Sequence, residues 1–260
     1  MWGAIIGDIV GSRFEFNPIK TKDFEFFHPD CFITDDTICT AAIADILLHD
    51  KDPSLTLQDW CRRYPDMSYG NNFSQWIKSS PPEPYDSYGN GSAMRISPVA
   101  HLFRHAVHET VQRPVFDQKV YDVTDITHNH PEGLKGAHAT AWAICLAFSG
   151  MQPEVIRQML TMEYSYDFNR KVDDIRFGYE FDETCQGSVS EAILCAIESK
   201  SFRDAIRNAV SLGGDADTQG AIAGAIAEAI HGVPDPDLAY AREYLRDAPD
   251  VEDIMDQLYR

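Results

Sequence analysis

Positive charge is scarce in this sequence: 22 lysines and arginines stand against 41 aspartates and glutamates in 260 residues, a formal charge of −19. A broad nucleic-acid contact needs clustered Lys and Arg to neutralise phosphates, so no nucleic-acid partner is expected. The six cysteines, at 31, 39, 61, 145, 185 and 195, include no CxxC pair and fall mostly in apolar segments. That pattern points to free thiols in a reducing compartment rather than to disulfides or a zinc ribbon. No apolar run reaches the ~18 to 20 residues of a membrane span. The start, Met1 to Asp8, lacks a basic leader region and carries Asp8 inside its apolar stretch, which argues against a signal peptide. A cytoplasmic monomer with no membrane partner is the expectation. GxSxG, HExxH and motif-level Cys-His pairs are also missing, which leaves covalent nucleophilic catalysis without support.

Helical periodicity is abundant. Ile38, Ala41, Ala42, Asp45, Ile46 and Leu48 recur at three-to-four spacing, as do Ile193, Leu194, Ile197, Phe202, Ile206 and Val210 over two further segments. Helices are also predicted near 3–11, 55–62, 92–107, 114–127, 132–148, 153–162 and 238–246, with Ser188-Val189-Ser190-Glu191 as a capping box. Strand signals are almost absent, so the fold class is all-α. The segments 133–148 and 220–230 are rich in Gly and Ala, which lets helix axes approach closely; they are expected at the bundle centre. Segments 79–91 and 165–187 are predicted loops, and with no linker or internal repeat the chain is expected to be one domain, 1–260.

The densest chemistry lies in Thr34-Asp35-Asp36-Thr37 and in Asp215-Ala216-Asp217-Thr218, about 180 residues apart. Each opens an apolar helix, where Thr and Asp are ordinary N-caps and first-turn residues. Four carboxylates and three hydroxyls exceed what capping requires, and acids held this closely call for a cation. Oxygen donors suit a hard divalent ion such as Mg²⁺. An EF-hand is excluded, because Asp215, Asp217 and Gly220 fit its loop but Ile226 stands where a bidentate Glu is needed.

Tyr88-Gly89-Asn90-Gly91-Ser92-Ala93-Met94-Arg95 leads from a Pro-rich stretch into a helix, a setting for phosphate binding or for a plain Gly-rich turn. Met94 stands where a dinucleotide fingerprint has its third glycine, and no P-loop lysine follows. His128 lies between two helices, able to meet a ligand or to cap a C-terminus. His101, His105 and His108 share a helical face that is expected at the surface. Glu15, flanked by Phe14 and Phe16, is either a carboxyl with a raised pKa or part of an edge segment.

These motifs resemble the ADP-ribosylglycohydrolase family. The likeness runs through Gly3 to Ser12 with Glu15, Thr34 to Thr37, Tyr88 to Arg95, Thr127-His128, Gly187-Ser188-Val189 and Gly213 to Gly220. It implies a compact orthogonal all-α bundle with a dinuclear site for two Mg²⁺ (or Mn²⁺), ligated by Thr34, Asp35, Asp36, Asp215, Asp217 and Thr218. It further implies Glu15 and Asp36 as catalytic residues. Substrate contacts from Gly70, Ser87, Tyr88, Gly89, Asn90, Gly91 and His128 follow from it too, as does hydrolysis of a glycosidic bond to ADP-ribose on a protein or a small conjugate. Two other readings stand beside it: a non-catalytic ADP-ribose binder, and an all-α metal phosphohydrolase suggested by His49-Asp50.

Overall fold

The computed structural model describes residues 1–108 and 112–260, the side chain of His108 aside. The described residues form fifteen α-helices and no strand; their one β-bridge is isolated and joins Gly89 to Thr184. In chain order the helices are α1 (Trp2–Gly11), α2 (Asp35–His49), α3 (Pro53–Arg63), α4 (Asn71–Lys78), α5 (Gly91–Met94), α6 (Ser97–Leu102), α7 (Gln112–Thr124) and α8 (Pro131–Phe148). They continue as α9 (Pro153–Glu163), α10 (Val172–Gly178), α11 (Cys185–Ile197), α12 (Phe202–Val210), α13 (Ala216–His231), α14 (Asp235–Tyr244) and α15 (Pro249–Leu258). No described helix is long and apolar enough to cross a membrane. All six cysteines are free and buried.

The centre is α13, which packs on α1, α12, α11 and α8. Every residue of α1 and twelve successive residues of α13, Ala216 to Ala227, are buried. A helix that is apolar all round has no solvent face and must be internal. The two run antiparallel with their backbones in contact: a Cβ at Gly3, Gly7 or Gly11 would lie 2.2, 1.9 or 2.2 Å from the carbonyl oxygen of Gly224, Gly220 or Ala216. The small residues of 220–230 thus do hold the bundle centre, but their partner is the glycine row of the first helix. Helix 133–148 joins them there as α8.

Several expected elements differ. The single helix over 92–107 is broken into α5, α6 and a 3₁₀ turn at Ala106–His108. Pro98 has no N–H to donate to the Met94 carbonyl four residues back, so the helix cannot run on through it, and Pro98 sits instead in the first turn of α6. The helix expected from Ser188 begins earlier, at Cys185, because the Thr184 hydroxyl accepts from Gly187 N at 3.1 Å. Ser188 instead donates back to the Thr184 carbonyl at 2.7 Å. Segment 165–187 contains α10, while α4 and α15 were not expected. His101 is no surface residue: it is 7% exposed, with its ring 4.4 Å from Tyr259 and 5.9 Å from Phe148. His105 lies beyond the end of α6, so the three histidines share no helical face, and the His108 side chain lies outside the described residues.

Candidate active site

The α1–α13 pairing decides where the acids lie. Glu15 follows α1 after a 3₁₀ turn, Ser12–Phe14, rather than lying in an edge segment, and Asp215 and Asp217 open α13. The antiparallel register sets the end of α1 beside the start of α13, and carboxylate oxygens of Glu15, Asp215 and Asp217 lie within 4.8 Å of one another. The first cluster arrives on α2. Thr34 is its N-cap, accepting from Asp36 N at 3.2 Å, and Asp35 and Asp36 form the first turn. Thr218 Oγ1 lies 3.4 Å from Asp36 Oδ1, so the two distant acidic segments touch.

Asp8, whose role the sequence did not disclose, fastens this arrangement. Its carboxylate accepts from Thr34 N at 3.0 Å, Thr34 Oγ1 at 2.8 Å and Thr37 N at 3.2 Å, and also from Thr37 Oγ1. One buried acid of α1 thereby satisfies backbone donors at the start of α2, which no intrahelical partner can reach. At the other cluster, Asn90 Nδ2 donates to Asp215 Oδ2 at 2.6 Å and to Ser188 Oγ at 3.1 Å. Asp215 occupies the N-cap position of α13 yet makes no side-chain cap there. Its carboxylate faces the other acids, so capping does not account for it.

Burial, followed by repulsion from neighbouring acids, raises these pKa values. Asp35 and Glu15 are each pushed up to about 7, and Asp36 and Asp217 well above the ordinary carboxylate range. Asp8 reaches about 6 through burial, against the lowering effect of its threonine partners. Asp36 Oδ2 is buried without a hydrogen-bond partner. An unpartnered carboxylate oxygen beside four other acids is what an absent cation would leave, and an all-oxygen donor set fits Mg²⁺ or Mn²⁺.

Above the acids opens a cavity of about 620 Å³, within the ~300–1,000 Å³ range of small-molecule sites. It is lined by Glu15, Asp35, Asp36, Asp215, Asp217 and Thr218, and also by Gly70, Ser87, Gly89, Asn90, Gly91 and His128. Two expected residues are not part of that lining. Thr34 is fully buried behind it, its hydroxyl donated to Asp8. The Tyr88 ring lies 5.2 Å from His130 and its carbonyl accepts from Cys185 N at 2.9 Å, so Tyr88 holds the loop through its backbone. His128 lines the cavity with its ring while its backbone N–H donates to the Thr124 carbonyl at the end of α7 at 2.9 Å; the N-cap of α8 is His130, which accepts from Glu132 N at 3.1 Å. Arg95, which the sequence reading gave no role, also lines the cavity, though only 2% exposed. A lone arginine between Met94 and Ile96 was the signal for it. Segment 165–187 contributes Phe181 and Glu183. His49 is elsewhere, its Nδ1 2.7 Å from Asp45 at the end of α2, where Lys51 joins them; nothing there suggests a phosphohydrolase centre.

A sequence model of the ADP-ribosylglycohydrolase family matches residues 1–260. The chain belongs to that family. ADP-ribosylarginine hydrolase Tri1 of Pseudomonas putida (strain GB-1) is 32% identical over 157 residues, covering 56% of this chain and 39% of that protein. The match therefore spans about two fifths of that relative's length. The solved structure of an ADP-ribosylglycohydrolase-related protein complex is similar over 97% of this chain and 95% of that one, with a TM-score of 0.72 at 21% identity. The all-α fold is thus the one found in that structure.

Proposed function

We propose that this ADP-ribosylglycohydrolase-family chain, as a single domain, hydrolyses a glycosidic bond to ADP-ribose on an ADP-ribosylated protein or a small ADP-ribosyl conjugate. Two Mg²⁺ (or Mn²⁺) ions would be held by Asp35, Asp36, Asp215, Asp217 and Thr218, with Thr34 behind them, its hydroxyl engaged by Asp8 and by Asp36 N. The observation that carries the reading is the meeting of both acidic segments and Glu15 at the foot of a cavity whose wall is the Gly-rich loop. When bound, such cations supply Lewis-acid stabilisation and fix oxygen ligands. Asn90 ties the Gly89–Gly91 wall to Asp215, so the diphosphate side and the acidic side are positioned as one unit. Glu15 is pushed up to about 7 by burial and by neighbouring acids in the metal-free chain; with cations bound it would stand ionised beside Asp215 and Asp217, as a carboxylate able to take a proton from water. Asp36 faces the same space, and carboxylates there stabilise an anomeric carbon as it becomes oxocarbenium-like. Gly70, Ser87 and His128 complete the ligand wall. Six buried free thiols favour a reducing, cytoplasmic setting.

The test is release of free ADP-ribose from a panel of arginine, serine and small-molecule conjugates, with Mg²⁺ and with EDTA. Release is expected only with metal, and it is lost in Asp36→Asn and Asp217→Asn. If every conjugate stays intact in metal-replete protein, the reading fails.

A further inference from the structure

We propose that Arg95 and Thr127 are positioning residues that hold His128 in the tautomer protonated at Nε2 and bare at Nδ1. The ring then presents one proton donor to an anionic oxygen at the Gly89–Gly91 loop. This deepens the ADP-ribose reading and, in its functional half, rests on it.

The assignment follows from counting protons. A guanidinium can only donate. Arg95 Nη2 donates to Thr127 Oγ1 at 2.8 Å, and both residues are buried. The Thr127 hydroxyl has a single proton, and its other partner is His128 Nδ1 at 2.7 Å. Thr127 is fully buried, so no water competes for that proton. It is therefore donated to Nδ1, and a neutral imidazole that accepts at Nδ1 carries its hydrogen at Nε2. The doubly protonated ring is disfavoured twice over. Its Nδ1–H would strand the threonine proton without an acceptor, and burial followed by the Arg95 charge pushes the His128 pKa well below 6.5.

Nε2 faces the loop. It lies 3.4 Å from where a Cβ at Gly91 would stand and 3.8 Å from one at Gly89, and His128 lines the cavity. The turn that carries the ring is fixed to the same wall: Ser87 N donates to the Thr127 carbonyl at 3.3 Å, and His128 N to the Thr124 carbonyl at 2.9 Å. A ring that presents Nε2–H to this wall favours a phosphoryl oxygen and offers a cation no lone pair there. The buried arginine thus acts on the ligand through two intervening side chains. It sets which nitrogen carries the proton, the detail on which a histidine's ligand preference depends.

Long-range ¹H–¹⁵N correlation spectra of the whole 260-residue chain, metal-free and Mg²⁺-loaded, report the tautomer directly. His128→Gln identifies the signal among the nine histidines. Wild type is expected to show a protonated Nε2 and a bare Nδ1. Thr127→Val loses that preference and binds ADP-ribose about tenfold more weakly by calorimetry, roughly 1.4 kcal/mol; Thr127→Ser restores both. A wild-type ring protonated at Nδ1, or at both nitrogens, overturns the inference, as does Thr127→Val with tautomer and affinity unchanged. Should Thr127→Val fail to fold, because it strands the Arg95 donor, the wild-type spectrum decides alone. Wild type with the expected tautomer but no affinity for ADP-ribose upholds the lock and sinks the functional reading instead.

Discussion

Gly7→Ala sets helix propensity against packing, and the structure says which prevails. Alanine in a helix interior is favoured over glycine by about 1 kcal/mol. Here its Cβ would stand 1.9 Å from the Gly220 carbonyl oxygen and 2.2 Å from the carbonyl carbon. Both neighbours are backbone, so no rotamer change relieves the clash. Reaching the 3.4 Å at which ordinary contact begins requires α1 and α13 to part by about 1.5 Å. Overpacking commonly costs about 1–3 kcal/mol, and moving two buried helices lies at the upper end of that range. The net loss is about 2 kcal/mol, which at roughly 2–4 °C per kcal/mol lowers Tm by about 4–8 °C.

The same displacement reaches the site, because Glu15 trails α1 while Asp215 and Asp217 open α13. A functional constellation tolerates about 0.5 Å of misplacement, so Mg²⁺ affinity should fall at least about tenfold. Thermal melts with and without Mg²⁺, together with calorimetric titration, measure both effects. Gly178→Ala is the control: no heavy atom lies within 4 Å of its Cβ position, and Tm should hold or rise slightly. A Gly7→Ala protein as stable as wild type, with the same Mg²⁺ response, would refute the claim that this backbone contact sets the site.

Asp217→Asn removes an ionisation that burial and neighbouring acids oppose, so metal-free Tm should rise towards alkaline pH while the Mg²⁺-induced increase disappears; a wild-type Mg²⁺ response in melts counts against the cluster as a cation site. Asp8→Asn replaces a carboxylate that accepts four hydrogen bonds with a group that also donates, and should cost about 2–4 kcal/mol by denaturant titration; a loss under ~0.5 kcal/mol would show that Asp8 does not fasten α2. Glu15 and Asp35 have folded pKa values of about 7, above their ordinary 4.5 and 3.8. Their contribution to metal-free stability is therefore fully present below those ordinary values and lost as pH rises through about 7. Glu15→Gln should flatten its share of that slope relative to wild type in EDTA. Mg²⁺ must displace the same protons, so its affinity should climb through about pH 7 with proton release; a pH-independent affinity contradicts the assignment.

The acidic segments were legible because their chemistry is local: Thr34 both caps α2 and stands beside two acids, and that excess of charge shows in four residues. The breaks and short helices were only partly so. Pro98 announced the interruption of 92–107, whereas α4 is carried by Phe73, Trp76 and Ile77 in a polar stretch too short to show a period. In α15, Val251, Ile254, Met255 and Leu258 do follow helical spacing, but three acids and a glutamine between them dilute it. The burial of His101 could not be read from its own segment, since Phe148 and Tyr259 supply the surroundings.

Convergence of the two acidic segments belongs to another order of information. Gly3, Gly7 and Gly11 recur every fourth residue, and Gly220 and Gly224 repeat that interval, yet neither row names the other as its partner. Once paired, they admit few alternatives. Sliding one helix by a residue would drive a side chain into a carbonyl, because each of the three contacts is already backbone to backbone. The register that avoids those clashes is the one that sets Glu15 beside Asp215 and Asp217, while Asp8 on the same helix clamps the start of α2. Close packing of small residues and the gathering of like charges are therefore a single constraint. The close backbone approach at the glycines helps to offset the cost of holding the acids together, which is how the site can be strongly anionic in a tightly packed bundle.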